Sequence, residues 1–299
     1  MQKLSVAKWL GANIFLWGGV CMALGGCNTF QALAALRFML GMLEACTTPA
    51  YLLITAMWYK VEEQPIRIGY WSTFLGLANS FGGLLAYGIG NIHGGSLATW
   101  RYQFIIVGAV SSAWGLLVFI FLAEGPGTAL EPHLPLHSDT LLTVSSNWLT
   151  SKEKIMAVER LHVNQTGVKN TKFKRYQVIE ALIDPKTWFL FLFGVSTQVV
   201  NGAVSNFGTL IIQGFGYSSL KTSLLQIPYG VIIIFSVISS MYLQRILPGQ
   251  KRSIVAAIYV VPALAGVAGI HALPTHNSKA RLGCYYVGVF SLYYPVTIY

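Results

Sequence analysis

Apolar residues in this chain come in blocks of about twenty, the length an α-helix needs to cross about 30 Å of hydrocarbon. Charged residues are confined to the gaps between the blocks. Reading block length against glycine, proline and charge breaks predicts membrane spans at residues 8–27, 30–57, 69–91, 103–123, 187–206, 222–244, 253–272 and 282–299. The fold class is therefore an all-α, multi-pass integral membrane protein. The first block is too long for a cleaved signal peptide and runs straight into a second, so it reads as a retained helix.

One long hydrophilic segment divides these spans four and four. The expected organisation is residues 1–123 as part of an N-terminal helix bundle, 124–186 as a cytoplasmic linker and 187–299 as part of a C-terminal bundle. Orientation follows from the loops, because Lys and Arg are retained on the cytoplasmic side. With Met1 inside, inner segments hold fifteen of the twenty Lys and Arg, and outer ones hold Arg101, Lys221, Lys279 and Arg281. Within the linker, Thr150 and Glu153 have capping-box spacing and predict an interfacial helix over 151–163. The basic stretch from Lys169 to Arg175 reads equally as a headgroup contact or a solvated charge run. The glycosylation pattern Asn164-Gln165-Thr166 falls on the inner side and is expected to stay unmodified.

Composition agrees. The chain is 54% hydrophobic and 10% charged, against about 25% charged in soluble domains, so it cannot coat a soluble globule. Its net charge of +10 is spread over short inter-span segments and forms no basic domain of the kind that binds nucleic acid. Cys21, Cys27, Cys46 and Cys284 have no metal-ligand spacing. The chain holds no phosphate-binding loop, no HExxH and no GxSxG. An enzyme, a cofactor and a bound metal are not expected. His271, near the end of a span, reads as a headgroup-level side chain.

The candidate chemistry lies inside the spans. Ionisable groups there are costly unless they face a partner or a water-filled cavity. Arg37 and Glu44 are seven residues apart on one helix face, with Gly41 beside them and Pro49 beyond as a kink. They read either as part of a translocation path or as a structural ion pair. Lys60, Glu62, Glu63 and Arg67 form a compact charged loop that could latch helix bundles through ion pairs made and broken during alternation; solvated loop charges are the bland alternative. Asn201, Ser205, Asn206 and Gln213, with Gln226 and Tyr229 around Pro228, could contact an anion without a fixed charge or simply hydrogen-bond between helices. Small residues at four-residue spacing, Gly76 with Ser80, Gly82 with Ala86 and Ala86 with Gly90, predict close helix crossing.

The tract LRFMLGMLEACTTPAYLLITAMWYKVEEQPIRIGYW at 36–71 resembles the fourth helix, cytoplasmic loop and start of the fifth helix in fungal allantoate-permease-like carriers. These are anion:cation symporters of the major facilitator superfamily. Residues 97–110, 164–193 and 205–230 resemble the same family, and MYLQRILPGQKRS at 241–253 is similar to a degenerate form of its second-half loop. The resemblance implies twelve helices in two halves with a cavity between them, of which this chain would supply about eight, the third to the tenth. It also implies a small organic anion as substrate, such as allantoate, nicotinate or a vitamin, moved together with a proton by a monomer in the plasma membrane.

Carried over residue by residue, Arg37 matches the family's intramembrane arginine, Glu44 its acidic residue, and Lys60, Glu63 and Arg67 its cytoplasmic latch. The expected function is proton-coupled symport of that anion, with Arg37, Glu44, Asn201, Asn206, Gln226 and Tyr229 as substrate contacts. The alternative reading is a truncated non-transporting relative or a membrane nutrient sensor.

Overall fold

The computed structural model describes residues 5–92, 97–122, 174–246, 252–274 and 276–290, together with 152, 153, 156, 159 and 160. Among them run eleven helices: α1 (Val6–Gly25), α2 (Phe30–Glu44), α3 (Thr47–Trp58), α4 (Gln64–Gly90), α5 (Thr99–Phe121), α6 (Arg175–Ile183), α7 (Pro185–Gly214), α8 (Ser219–Leu224), α9 (Gln226–Ile246), α10 (Arg252–Ala272) and α11 (Ser278–Phe290). Five stretches are long and apolar enough to cross a membrane: Val6–Gly25, Phe30–Trp58, Thr99–Phe121, Pro185–Gly214 and Ser219–Leu243, with Ala257–Ala272 a shorter apolar helix. Large apolar side chains face outward along them; Phe30, Phe38 and Phe189 are each more than 70% exposed, as expected of a surface solvated by lipid.

Helix underlies each predicted span as far as it is described, but α4, over the span expected at 69–91, is not among the five stretches long and apolar enough to cross a membrane; the other differences are local. The span expected at 30–57 breaks into α2 and α3 at Ala45–Cys46. Pro49 lacks an N–H, and its ring clashes with the carbonyl four residues back, which is that of Ala45. The span expected at 187–206 runs on to Gly214. It stops where Phe215 caps it and Gly216 takes φ +94°, a left-handed conformation that glycine adopts without penalty. The last span is described to Phe290.

α6 was not anticipated. It lies inside the stretch read as linker, one residue before α7, whose start is set by Pro185 at its first position and by Asp184, whose Oδ1 accepts from the Lys186 N–H at 3.0 Å. Residues 152, 153, 156, 159 and 160 are helical, as the expected linker helix requires. Thr150 of the expected capping box and the sequon at 164–166 lie outside the described residues.

The chain divides into two compact units, residues 1–64 with 92–173, and residues 65–91 with 174–299. In the first, α1 and α5 cross backbone to backbone. A Cβ on Gly18 would lie 2.5 Å from the Ser112 nitrogen and 2.6 Å from the Gly108 oxygen, and one on Gly11 would lie 2.6 Å from the Phe119 Cα. Two buried clusters complete it: Val6, Leu10 and Ala50, and Cys21, Leu24 and Leu40.

In the second unit, Ile212 of α7 and Phe215 at its C-terminal cap, Tyr229, Ile233 and Val237 of α9, and Tyr285 and Val289 of α11 form the main core. Serines of α9, Ser236 buried and Ser239 half-buried, tie it together. Ser236 donates to the Phe290 carbonyl, and the Ser239 hydroxyl lies 2.6 Å from that of Tyr259. Such bonds hold apolar helices together where hydrophobic burial offers no preference for protein over lipid.

Candidate functional site

In the first unit, Arg37 sits mid-way along α2 with its guanidinium carbon 5.5 Å from the Phe104 ring centroid of α5. The same ring joins the cluster around Cys21, Leu24 and Leu40, so the packing that builds the unit also positions the cation. A cation over an aromatic face is worth about 0.5–2 kcal/mol, depending on desolvation.

Glu44 is the last residue of α2 and is exposed. Among the described residues, no ion pair joins it to Arg37. Two helical turns separate the pair by about 10 Å of rise, so a shared face does not bring the charges into contact. The structural ion pair that seven-residue spacing allowed is absent here, and the guanidinium keeps its donors beside an aromatic wall.

Glu63 lies in the turn before α4. Its Oε2 accepts from the Lys60 backbone N–H at 3.4 Å, and its Oε1 pairs with Arg160. Both side chains are partly exposed, 33% for Glu63 and 54% for Arg160. Lys60 therefore meets Glu63 through its backbone, and the cation on the carboxylate is Arg160. Arg67 is exposed in the first turn of α4, which begins at Gln64. Sequence reasoning did not find Arg160; its position on the expected linker helix was the available signal.

In the second unit, α7 carries a polar ladder. The Asn201 amide donates to Gln198 at 3.2 Å, and the Ser205 hydroxyl donates to the Asn201 oxygen at 3.2 Å. Gln198, unnoticed in the sequence, is the residue one turn before Asn201 on that stripe. Asn206 turns onto its own helix, donating to the Gly202 carbonyl at 2.8 Å.

Gln226 opens α9 half-buried against α4, where a Cβ on Gly83 would meet its own Cβ at 2.9 Å. Tyr229 is only 3% exposed and stacks on Tyr285, with ring centroids 6.3 Å apart. It stands in the core of the unit, whereas Asn201, Ser205 and Asn206 reach the surface of α7. His271 is exposed at the end of α10. Among the described residues, no group of three His, Cys, Asp or Glu side chains could hold a metal ion.

The Major Facilitator Superfamily model matches residues 1–298. The chain is 36% identical over 298 residues to a Schizosaccharomyces pombe protein named as an uncharacterised transporter, a match covering 99% of this chain and 52% of that protein. It is 32% identical to the thiamine pathway transporter of Saccharomyces cerevisiae, covering 98% of this chain and 51% of that one. To the allantoate permease of the same yeast it is 31% identical, covering 96% and 51%. The chain thus spans about half the length of the curated relatives it matches. A superfamily match over nearly every residue, on a chain built of apolar membrane-spanning helices, makes this chain a member of the major facilitator superfamily.

Proposed function

We propose that the chain acts within a proton-coupled carrier that moves a small organic anion across the plasma membrane. The observation that carries this reading is Arg37. It is a permanent cation inside a membrane-crossing stretch, resting on Phe104 and not neutralised by Glu44. Arg37 is exposed on α2, and a guanidinium within a span is tolerated when it faces a water-filled cavity or an anionic partner; its planar fork of donors suits a carboxylate. The allantoate permease among the relatives supports an anionic substrate of that size.

In this reading, Arg37 binds the carboxylate and Glu44, at the end of the same helix, carries the proton. Asn201, Asn206 and Gln226 offer amide contacts, with Tyr229 backing them from the core. The four-span, linker, four-span organisation belongs to the same proposal, as does the monomeric state. Binding would alternate access by rocking of helix bundles, as in transporters built from repeats. Lys60, Glu63 and Arg67 would latch the cytoplasmic side, a role favoured by the pairing of Glu63 with Arg160.

The test is uptake of labelled allantoate and nicotinate by cells expressing the intact coding region, at pH values on both sides of neutrality. The proposal expects uptake that rises as external pH falls and is abolished by Arg37→Ala. Uptake independent of pH would overturn proton coupling. Uptake unaffected by Arg37→Ala would overturn the site.

A further inference from the structure

α6 presents an apolar face that no described residue covers. At about 100° per residue, Val178, Leu182, Ile179, Ile183 and Tyr176 fall on one side of the helix, with Arg175 of the first turn between Leu182 and Ile179, while Gln177 and Glu180 occupy the other. These five apolar side chains are between 44% and 74% exposed. In water such a face would be an aggregation liability.

Connectivity says what it meets instead. A single residue, Asp184, separates α6 from α7, and α7 is long and apolar enough to span a membrane. Trp188, in the first turns of α7, donates its indole N–H to the Leu182 carbonyl at 2.8 Å. That bond satisfies a carbonyl at the end of α6 that would otherwise lack a partner, and it fixes α6 at the mouth of the span. Tryptophan is enriched at this level of a bilayer. The entrance is also cationic: Lys174 caps α6 and Arg175 opens it, with Lys174 over the Tyr176 ring at 5.9 Å, and Lys186 follows the helix.

From these observations we infer that α6 is a surface anchor that lies in the headgroup region, its apolar face sunk into the bilayer and its cations on anionic lipid headgroups. Amphipathic helices with cations beside an apolar face bind this way, and each Lys or Arg near an anionic surface strengthens docking about fivefold. The anchor rests on α7 crossing a membrane and not on any transport activity, so its failure would leave the proposed carrier function standing.

The full chain, with its four cysteines replaced by serine, would carry a nitroxide at Ile179→Cys or Gln177→Cys. It would be reconstituted in nanodiscs of phosphatidylcholine alone or mixed with phosphatidylserine. With phosphatidylserine present, the label at 179 should collide with dissolved oxygen and the label at 177 with a water-soluble nickel chelate. Lys174→Gln with Arg175→Gln should lower the docked-to-undocked ratio about 25-fold. A label at 179 open to the nickel chelate in both lipids overturns the anchor, and equal burial in both overturns its preference for anionic lipid. Shielding of 179 from both oxygen and nickel would mean that protein covers the face, which also overturns it. Trypsin gives a second readout on the unaltered protein: cleavage after Lys174 and Arg175 should slow when phosphatidylserine is present, and equal cleavage in the two lipids counts against the inference.

Discussion

Gly76 of α4 and Gly230 of α9 meet backbone to backbone: a Cβ on Gly76 would lie 2.5 Å from the Gly230 carbonyl oxygen and 3.0 Å from the Ile234 nitrogen. The contact belongs to a repeat of seven. Gly69 faces Met241, Gly83 faces Ser223 and Gln226, and Gly90 faces Leu220, so one stripe of α4 lies along α8 and α9. Ser80 adds a hydrogen bond to the Ile227 carbonyl at 3.2 Å. Without a hydrophobic drive between helices in lipid, this close approach supplies much of the association.

Gly76→Leu should therefore destabilise the purified protein by about 1–3 kcal/mol, the range for overpacking, because the obstructing atoms are backbone. Gly82→Leu should be near neutral, since nothing lies within 4 Å of its Cβ. Gly69→Ala should cost less than Gly76→Ala, because the flexible Met241 side chain can move aside. Thermal unfolding in detergent measures all three.

α1 offers a matched pair one residue apart. Gly18→Val would drive side-chain atoms into Ser112 and the Gly108 carbonyl, while Gly19→Val meets open space. The first should lower the unfolding midpoint by several degrees, with about 1–3 kcal/mol lost, and the second should leave it within about 0.5 kcal/mol of the parent. Equal effects at both positions would contradict the α1–α5 crossing.

The Glu63–Arg160 pair is partly exposed, and exposed pairs contribute about 0.2–1 kcal/mol. A double-mutant cycle with Glu63→Gln and Arg160→Gln should return a coupling energy in that range that shrinks in high salt. Coupling above about 2 kcal/mol would show a pair far better shielded than its exposure allows.

Phe104→Leu removes the ring under Arg37 while keeping an apolar side chain of similar reach. Substrate affinity in the uptake assay should weaken by about two- to thirtyfold, matching about 0.5–2 kcal/mol of lost cation–π positioning. Arg37→Lys should retain part of the activity that Arg37→Ala loses, because an ammonium keeps the charge but not the planar donor fork. An unchanged KM in Phe104→Leu would remove the ring from the substrate argument.

Tyr229 and Tyr285 stack in the core of the second unit. Tyr229→Ala should cost about 3–5 kcal/mol, the range for emptying a buried aromatic site, while Tyr229→Phe keeps the stacked ring. Unfolding of the two variants side by side separates ring packing from the hydroxyl. If Tyr229→Phe folds normally yet loses uptake, the hydroxyl serves the substrate.

Apolar membrane-spanning helices and the family were legible in the chain itself, for a physical reason. Spanning hydrocarbon demands about twenty apolar residues in a row, so that signal survives without tertiary contacts. Arg37 stood out for the same reason, as a charge in an apolar block. Its aromatic support did not, because Phe104 is one apolar residue among many within α5.

What only the tertiary structure decided is which face of each helix touches which neighbour. A helix apolar all round carries no periodic mark of its buried side. Small residues at four-residue spacing therefore pointed as readily to Gly82, which faces open space, as to Gly76, which meets Gly230. Spacing along a helix likewise records angle but not reach: it put Arg37 and Glu44 on one face and left them two turns apart. The partner of Glu63 came from Arg160, 97 residues along the chain, a distance over which no local pattern can choose a partner and only folding can.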